Sequence, residues 1–321
     1  MRTGRELILA SLPYAQEVKS KSWYYLISTI VLLVMAIGTT FIPVNWLFRL
    51  PLSILSGLLM VRFFIIYHDY NHFAILKNSK SAKWIMTIFG IFILAPITIW
   101  KRTHNHHHIN NSKLSANGIG SFPLLDKKEF YNLDKKSRLR YLASRHYLTI
   151  VLGYISLFIF DFNIKTFILS PKQHWDSIIA LLFHFTMAVL IYKYGGFASL
   201  MISWIIPFLI ANAVGAYLFY AQHNFPGAIY VEKEEWDYTN AALKSTSYLK
   251  MNSLLNWFTG DIGFHHVHHL NHTIPFYRLR EAMDGIPELQ NPLTTTFNPK
   301  DIIACLKLKV WDSEAQKLTS L

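Results

Sequence analysis

Residues 47–72 read LFRLPLSILSGLLMVRFFIIYHDYNH, an apolar run from Leu47 to Tyr67 that ends on two histidines four residues apart, His68 and His72. A helix crossing the hydrocarbon core of a bilayer needs about 20 largely apolar residues, and this run supplies them. On a helix, positions i and i+4 share a face. The run therefore carries two imidazoles together to its end, and imidazole is the commonest metal-binding side chain.

The same features recur along the chain. Eleven of the 15 histidines fall in three clusters: His68 and His72, then His104-Asn-His-His-His108, then His265-His-Val-His-His269 with His272 just beyond. His104, His107 and His108 are spaced i, i+3, i+4, and so are His265, His268 and His269. Adjacent helical residues point about 100° apart, so a His-His pair can serve two different ions while its helix stays regular. His223, just past the last apolar run, joins these eight. A structural zinc site closes with four ligands, so nine imidazoles suit two ions better than one. Ligand type alone does not name the metal. His106, His266 and His272 lie in or beside the clusters but off the repeated spacing, and are read as neighbouring or surface groups. His146, His174 and His184 are isolated and are read as ordinary satisfied side chains.

Hydrophobic residues make up 52% of the 321, and mean hydropathy is +0.25. Six apolar runs account for this, and they mark an integral membrane protein. Trp23–Ile42, Leu47–Tyr67, Ile178–Tyr192 and Phe197–Tyr220 are expected to cross the bilayer, with a turn at Gly195-Gly196 between the last two. Trp84–Trp100 is broken at Pro96 and Leu148–Phe160 is stopped by Asp161, so both are expected to lie shallow or to re-enter. The expected fold is an all-α integral membrane protein. About four transmembrane helices, with interfacial helices, support a cytoplasmic helical cap carrying the histidines, and residues 1–321 form a single domain.

The net charge of +12 gives orientation. Lysine and arginine gather in Met1–Ser22, after His72, in Lys101–His146 and in the C-terminal tail. The positive-inside rule puts these segments in the cytoplasm. A multi-pass protein of the inner membrane is expected, with both termini and every histidine cluster on the cytoplasmic side. Nucleic acid is not an expected partner, because membrane spans split the basic residues and no reader motif is present. The single cysteine, Cys305, excludes an intramolecular disulfide or a cysteine-based metal site. It is read as an ordinary partly buried thiol.

The ordered pattern HxxxH, HxxHH, HxxHH resembles the membrane fatty acid desaturases. Flanking residues carry the likeness further: Trp100-Lys-Arg-Thr-His104, Tyr220-Ala-Gln-His223, Glu235-Trp236-Asp237, Thr259-Gly-Asp-Ile-Gly-Phe-His265 and Ile274-Pro-Phe-Tyr277. The resemblance runs from about His68 to Trp311, and its latter half is most similar to bacterial acyl-lipid enzymes. It implies a non-haem di-iron centre that uses O2 to place a cis double bond in an acyl chain. It also implies a ligand set: His68, His72, His104, His108 and His269 on one iron, with His107, His223, His265 and His268 on the other. No catalytic residue beyond the metal centre is implied. Asp69, Asp237 and Asp261 become candidates for acceptors that fix imidazole tautomers; a helix cap or salt bridge is the other reading of each.

The third cluster opens with His265, where front-end desaturases carry glutamine, and no cytochrome domain is visible. Electrons would then come from a separate ferredoxin, flavodoxin or cytochrome b5, and an acidic donor suits the basic face. The implied substrate is the acyl chain of a membrane lipid, entering an apolar tunnel between the helices. Gly57, Pro207, Gly215 and Ala216 are candidates for making room, against ordinary close packing or, for Pro207, a kink. Two other functions compete. A lipid or carotenoid hydroxylase or ketolase would share the fold. A metal transporter would need ionisable ligands near the membrane midplane, where the apolar runs offer only Arg62 and His184.

Overall fold

The computed structural model describes residues 2–114 and 118–321. A short helix α1 (Gly4–Ser11) precedes two long ones, α2 (Lys19–Thr39) and α3 (Trp46–Asn71), which pack against each other as an antiparallel pair. Both have the length and composition to cross a membrane. Asn45 starts α3 by accepting a hydrogen bond from the Leu47 amide at 2.9 Å, which satisfies one of the helix's free N-terminal donors.

The next apolar run is not straight. Helices α4 (Lys80–Phe92) and α5 (Ile97–Asn110) meet at 90°, with Leu94 in the left-handed region and Pro96 at the start of α5. Proline cannot donate the amide that would continue a helix, so the run bends sharply at this point. After α6 (Lys127–Asn132), α7 (Lys135–Ser144) and α8 (Tyr147–Val151), the shorter run forms a π-helical stretch, Tyr154–Lys165, followed by α9 (Thr166–Leu169). Its buried Asn163 donates to the Leu94 carbonyl at 2.8 Å and ties this stretch to the α4–α5 bend.

Helix α10 (Trp175–Leu200) and α11 (Ile206–Ala221) are joined by a π-helical turn at Met201–Ile205. Inside α10, Gly196 leaves helical geometry with φ 74°, a conformation that glycine adopts without steric penalty. A continuous helix would hold His184 and Phe208 about 36 Å apart, at 1.5 Å per residue. Their ring centroids are 4.7 Å apart. The chain therefore doubles back at Gly196, and residues 175–195 and 197–221 form two apolar rods beside α2 and α3. Pro207 lies just beyond the π-helical turn, which removes the clash a proline makes inside a regular helix. Buried Arg49 ties the outer turns together: its Nε donates to the Thr40 carbonyl at 2.6 Å and its Nη2 to Ser199 Oγ at 3.1 Å.

The remainder forms a cap of short helices: α12 (Tyr238–Lys244), α13 (Ser253–Phe258), α14 (His265–Leu270), α15 (Leu279–Gly285) and α16 (Pro299–Lys307). The fold is mainly helical, as the apolar runs and helical histidine spacings imply, with a few three-residue strands in the cap. Strand β1 (Tyr248–Lys250) pairs in parallel with β2 (Thr294–Thr296), and β3 (Val310–Asp312) pairs antiparallel with β4 (Lys317–Thr319). Three-residue strands carry too little alternation to be read from sequence. Arg62 fastens the cap to the rods. Its guanidinium donates to the Trp257 carbonyl and, at 3.2 Å, to Thr29 Oγ1, and lies 4.1 Å from the Trp257 ring centroid. Cys305 is fully buried, and burial pushes its thiol up to about 12.

Candidate metal centre

Three helices bring the histidines together. His68 and His72 occupy the last turn and the end of α3, α5 carries His104, His107 and His108, and α14 carries His265, His268 and His269. His223 follows α11. The segment leading into α14 needs its glycines. A Cβ on Gly260 (φ 51°) would meet Ile65 Cγ2 at 2.9 Å, and one on Gly263 would meet the Leu249 carbonyl oxygen at 2.5 Å. Without side chains at these points, α14 can lie against α3.

All nine side chains are buried, and they form two groups. His68, His72, His104, His108 and His268 make one; His107, His223, His265 and His269 make the other. Within each, one ring nitrogen per residue lies within 4.8 Å of the rest. Five Nε2–Nε2 separations are shorter still: His104–His108 and His108–His268 at 3.1 Å, His107–His223 at 3.0 Å, His223–His265 at 2.9 Å, and His107–His269 at 3.3 Å. A metal–imidazole bond is about 2.0–2.1 Å, which puts adjacent ligands about 3.0 Å apart in an octahedral site and about 3.4 Å apart in a tetrahedral one. The measured spacings are those of ligands around an ion. His72 Nε2, buried with no hydrogen-bond partner, fits the same role.

The division between groups follows helical geometry. The i, i+4 pairs His104–His108 and His265–His269 stay together, while His107 and His268 turn to the other group. Adjacent histidines are thus shared between two centres, as the spacing suggested. The ligand partition implied by the family pattern needs one exchange, with His268 in the first group and His269 in the second.

Burial and neighbouring imidazoles lower the pKa of His265, His268 and His269 well below the usual value. Burial takes His223 down to about 3. These rings are neutral at physiological pH, with a lone pair free for a cation. Neither group contains a carboxylate. Nine imidazole donors in two closely spaced sets fit a pair of transition-metal ions.

Of the three candidate aspartates, Asp69 alone touches a ring. Its Oδ1 lies 3.0 Å from His68 Nδ1, and its Oδ2 accepts from the Phe276 amide at 2.6 Å. That contact fixes the His68 tautomer with Nε2 free. Asp237 instead caps α12, accepting from the Asn240 amide and Thr239 Oγ1 at 2.8 and 2.7 Å. Asp261 makes no hydrogen bond to a histidine among the described residues. Burial raises its pKa against the pull of Arg280 and Arg62.

The remaining histidines have other occupations. His106 Nδ1 lies 3.3 Å from the Ile119 carbonyl, and buried His266 donates from Nε2 to the Leu289 carbonyl at 3.1 Å. His146 caps α8, His174 bonds Thr98 Oγ1 at 2.9 Å, and His184 pairs with the Tyr154 hydroxyl. His272 is the exception. Its ring centroid stands 4.7 Å from that of His72, against the first group.

A cavity of about 1030 Å³ opens onto both groups, reaching His68 and His104 of the first and His265 of the second. Its walls are mainly apolar, among them Met60, Phe64, Trp100, Leu218 and Phe219, and it extends to Arg140 and Lys165. Gly215 and Ala216 line it. Gly57 and Pro207 do not: a Cβ on Gly57 would meet both Ile210 and the Pro207 carbonyl at 2.8 Å, so that glycine serves close packing of α3 on α11. Phe219 escaped the sequence reading, though its place one helical turn before His223 was a clue.

The family model described as fatty acid desaturase matches residues 44–298. A Bacillus subtilis (strain 168) protein named fatty acid desaturase is 29% identical over 280 residues, covering 87% of this chain and 79% of that protein. An sn-1 oleoyl-lipid 12-desaturase of Arthrospira platensis is 24% identical over 291 residues, covering 86% and 79%. An sn-1 acyl-lipid omega-3 desaturase (ferredoxin) of Nostoc sp. (strain 36) is 22% identical over 285 residues, covering 83% and 75%.

Proposed function

The chain belongs to the fatty acid desaturase family, and we propose that it uses O2 and two iron ions to convert a CH2–CH2 unit of a lipid-linked acyl chain into a cis double bond. His68, His72, His104, His108 and His268 would hold one ion, and His107, His223, His265 and His269 the other. When bound, the iron pair supplies the oxidant for alkyl C–H cleavage, which no side chain can provide.

The protein's own part is positioning. Asp69 holds the His68 ring with its free nitrogen toward the group. The apolar cavity takes the acyl chain from the bilayer, excludes water along its length, and presents the reacting carbons beside His68, His104 and His265. Arg140 and Lys165 stand where a polar headgroup would remain. The named substrates of the Arthrospira and Nostoc relatives, oleoyl-lipid and acyl-lipid, support a lipid-linked chain.

Electrons come from a separate protein. The +12 charge favours an acidic donor such as a ferredoxin, a flavodoxin or cytochrome b5, and the Nostoc relative's name includes ferredoxin. The basic segments support a topology with the histidines and both termini on the cytoplasmic side of the inner membrane.

The observation that carries this reading is a single apolar cavity ending on two buried imidazole groups. Expression in a host with defined saturated lipids, followed by fatty acid methyl ester analysis, tests it. New alkenes are expected from the parent and none from His268→Ala at equal membrane insertion. Hydroxylated chains without alkenes would instead make the protein a hydroxylase of the same fold. The transporter reading lacks a ligand path: Arg62 is engaged with Trp257 and Thr29, and His184 with Tyr154.

A further inference from the structure

We propose that a second cavity, small and richer in polar groups than the first, holds water beside the four-histidine group and is the route by which protons reach the metal centre and product water leaves it. This rests on the desaturase reading. In that reaction R–CH2–CH2–R′ + O2 + 2 e⁻ + 2 H⁺ gives R–CH=CH–R′ + 2 H2O. Two C–H bonds and the O–O bond break. Four O–H bonds form, two with hydrogens from the acyl chain and two with protons from solvent, and the electrons come from the separate donor protein. Solvent protons must therefore enter a site whose larger opening is apolar.

This smaller cavity has a volume of about 30 Å³ and is lined by His107, Asn110, Asn111, Ser112, Arg145 and His223 among others. A water needs about 10–15 Å³ on this measure and two to four polar partners, so one or two waters fit. Arg145 supplies an independent indication. It is 1% exposed and has no carboxylate partner among the described residues. Its Nη atoms donate to Pro123 O, Tyr220 Oη, Asn224 Oδ1 and Leu308 O, while its Nε finds no acceptor among the described residues. A buried charged donor without an acceptor is normally satisfied by an ordered water. A guanidinium offers N–H donors and no acceptor, so it orients water rather than relaying the proton itself.

The inner wall of this cavity is two ligands of the second group, His107 and His223. Its outer wall includes Asn110 and Ser121, both only half-buried. The cavity therefore offers room for water between half-buried Asn110 and one metal position, and it shares only Ser121, Phe122 and Phe219 with the acyl cavity.

The test uses the full chain in detergent with its metal bound. Asn110→Leu would fill the outer end from a residue that lines this cavity and not the acyl cavity, and Ser121→Leu would fill it from a side chain that lines both, so the two must agree. Radiolytic hydroxyl labelling should mark Tyr230, a buried cavity residue, in the parent through the adjacent water and mark it several-fold less in the leucine variants. At unchanged iron content, those variants should turn over several-fold more slowly, with a larger solvent isotope effect in D2O. Ser121→Thr, which keeps the hydroxyl, should restore most of the rate. An unlabelled Tyr230 in the parent would overturn the water site. Filled variants that keep the parent's rate and isotope effect would overturn the proton route. A parent that forms no double bond would instead remove the desaturase reading and the route with it, while the labelling still decides whether water is there.

Discussion

His108 Nε2 lies 3.1 Å from both His104 Nε2 and His268 Nε2, although a neutral ring nitrogen carries either one N–H or one lone pair and can satisfy only one of them. Such crowding is unfavourable unless a cation draws the lone pairs inward, and this gives the residue-scale predictions. Asp69→Asn removes the charged acceptor at His68 Nδ1. It should lower iron affinity by about 10–100-fold, the usual effect of losing such a support, in chelator competition. Asp237→Asn, at a cap remote from the rings, should change it little. His223 adds a pH dependence. Its folded pKa of about 3 lies below the ordinary 6.5, so between those values the unfolded chain binds a proton that the folded chain refuses. The stability of the metal-free protein should therefore fall as pH drops through 6.5 toward about 3. Melts at pH 7.5 and 5.5 check this; an equal or higher melting temperature at 5.5 would contradict it. The nine histidines that the fold gathers into two groups were all legible as candidates, eight from helical spacing and His223 from its place after an apolar run. The assignment of His268 and His269 was not, because it depends on how α14 is rotated against α5.

At the scale of elements, the cavity is shaped where side chains are small. A Cβ on Gly215 would meet nothing within 4 Å, so a larger side chain there can project into the space the acyl chain needs. Gly215→Leu should insert normally and shift the products toward shorter chains or a displaced double bond, read by mass spectrometry of the fatty acid methyl esters. An unchanged product profile would remove Gly215 from the substrate path. The apolar runs, the break at Pro96 and the Gly195-Gly196 turn could be read from the sequence because hydrophobic length and backbone-restricting residues act locally. The π-helical stretch Tyr154–Lys165 could not, since its composition is that of any apolar helix. Neither could the contribution of Ser137 and Arg140 on α7 to the cavity wall, which arises from tertiary packing of a polar helix over the mouth.

For the whole molecule, four apolar rods form a base and the C-terminal cap closes over them. Arg62 and Asp69 cross between the two parts. The sequence pattern pointed to this division, with ligands from both parts, but not to the small sheets that brace the cap. The division also explains why the histidines lie so far apart in the chain: each part brings an incomplete set, and closure of the cap completes both. The most direct test is anomalous diffraction at the iron edge from protein purified out of iron-replete cells. Two peaks are expected, one among His68, His72, His104, His108 and His268 and one among His107, His223, His265 and His269. A single peak, or none in protein that still forms double bonds, would contradict the two-ion centre.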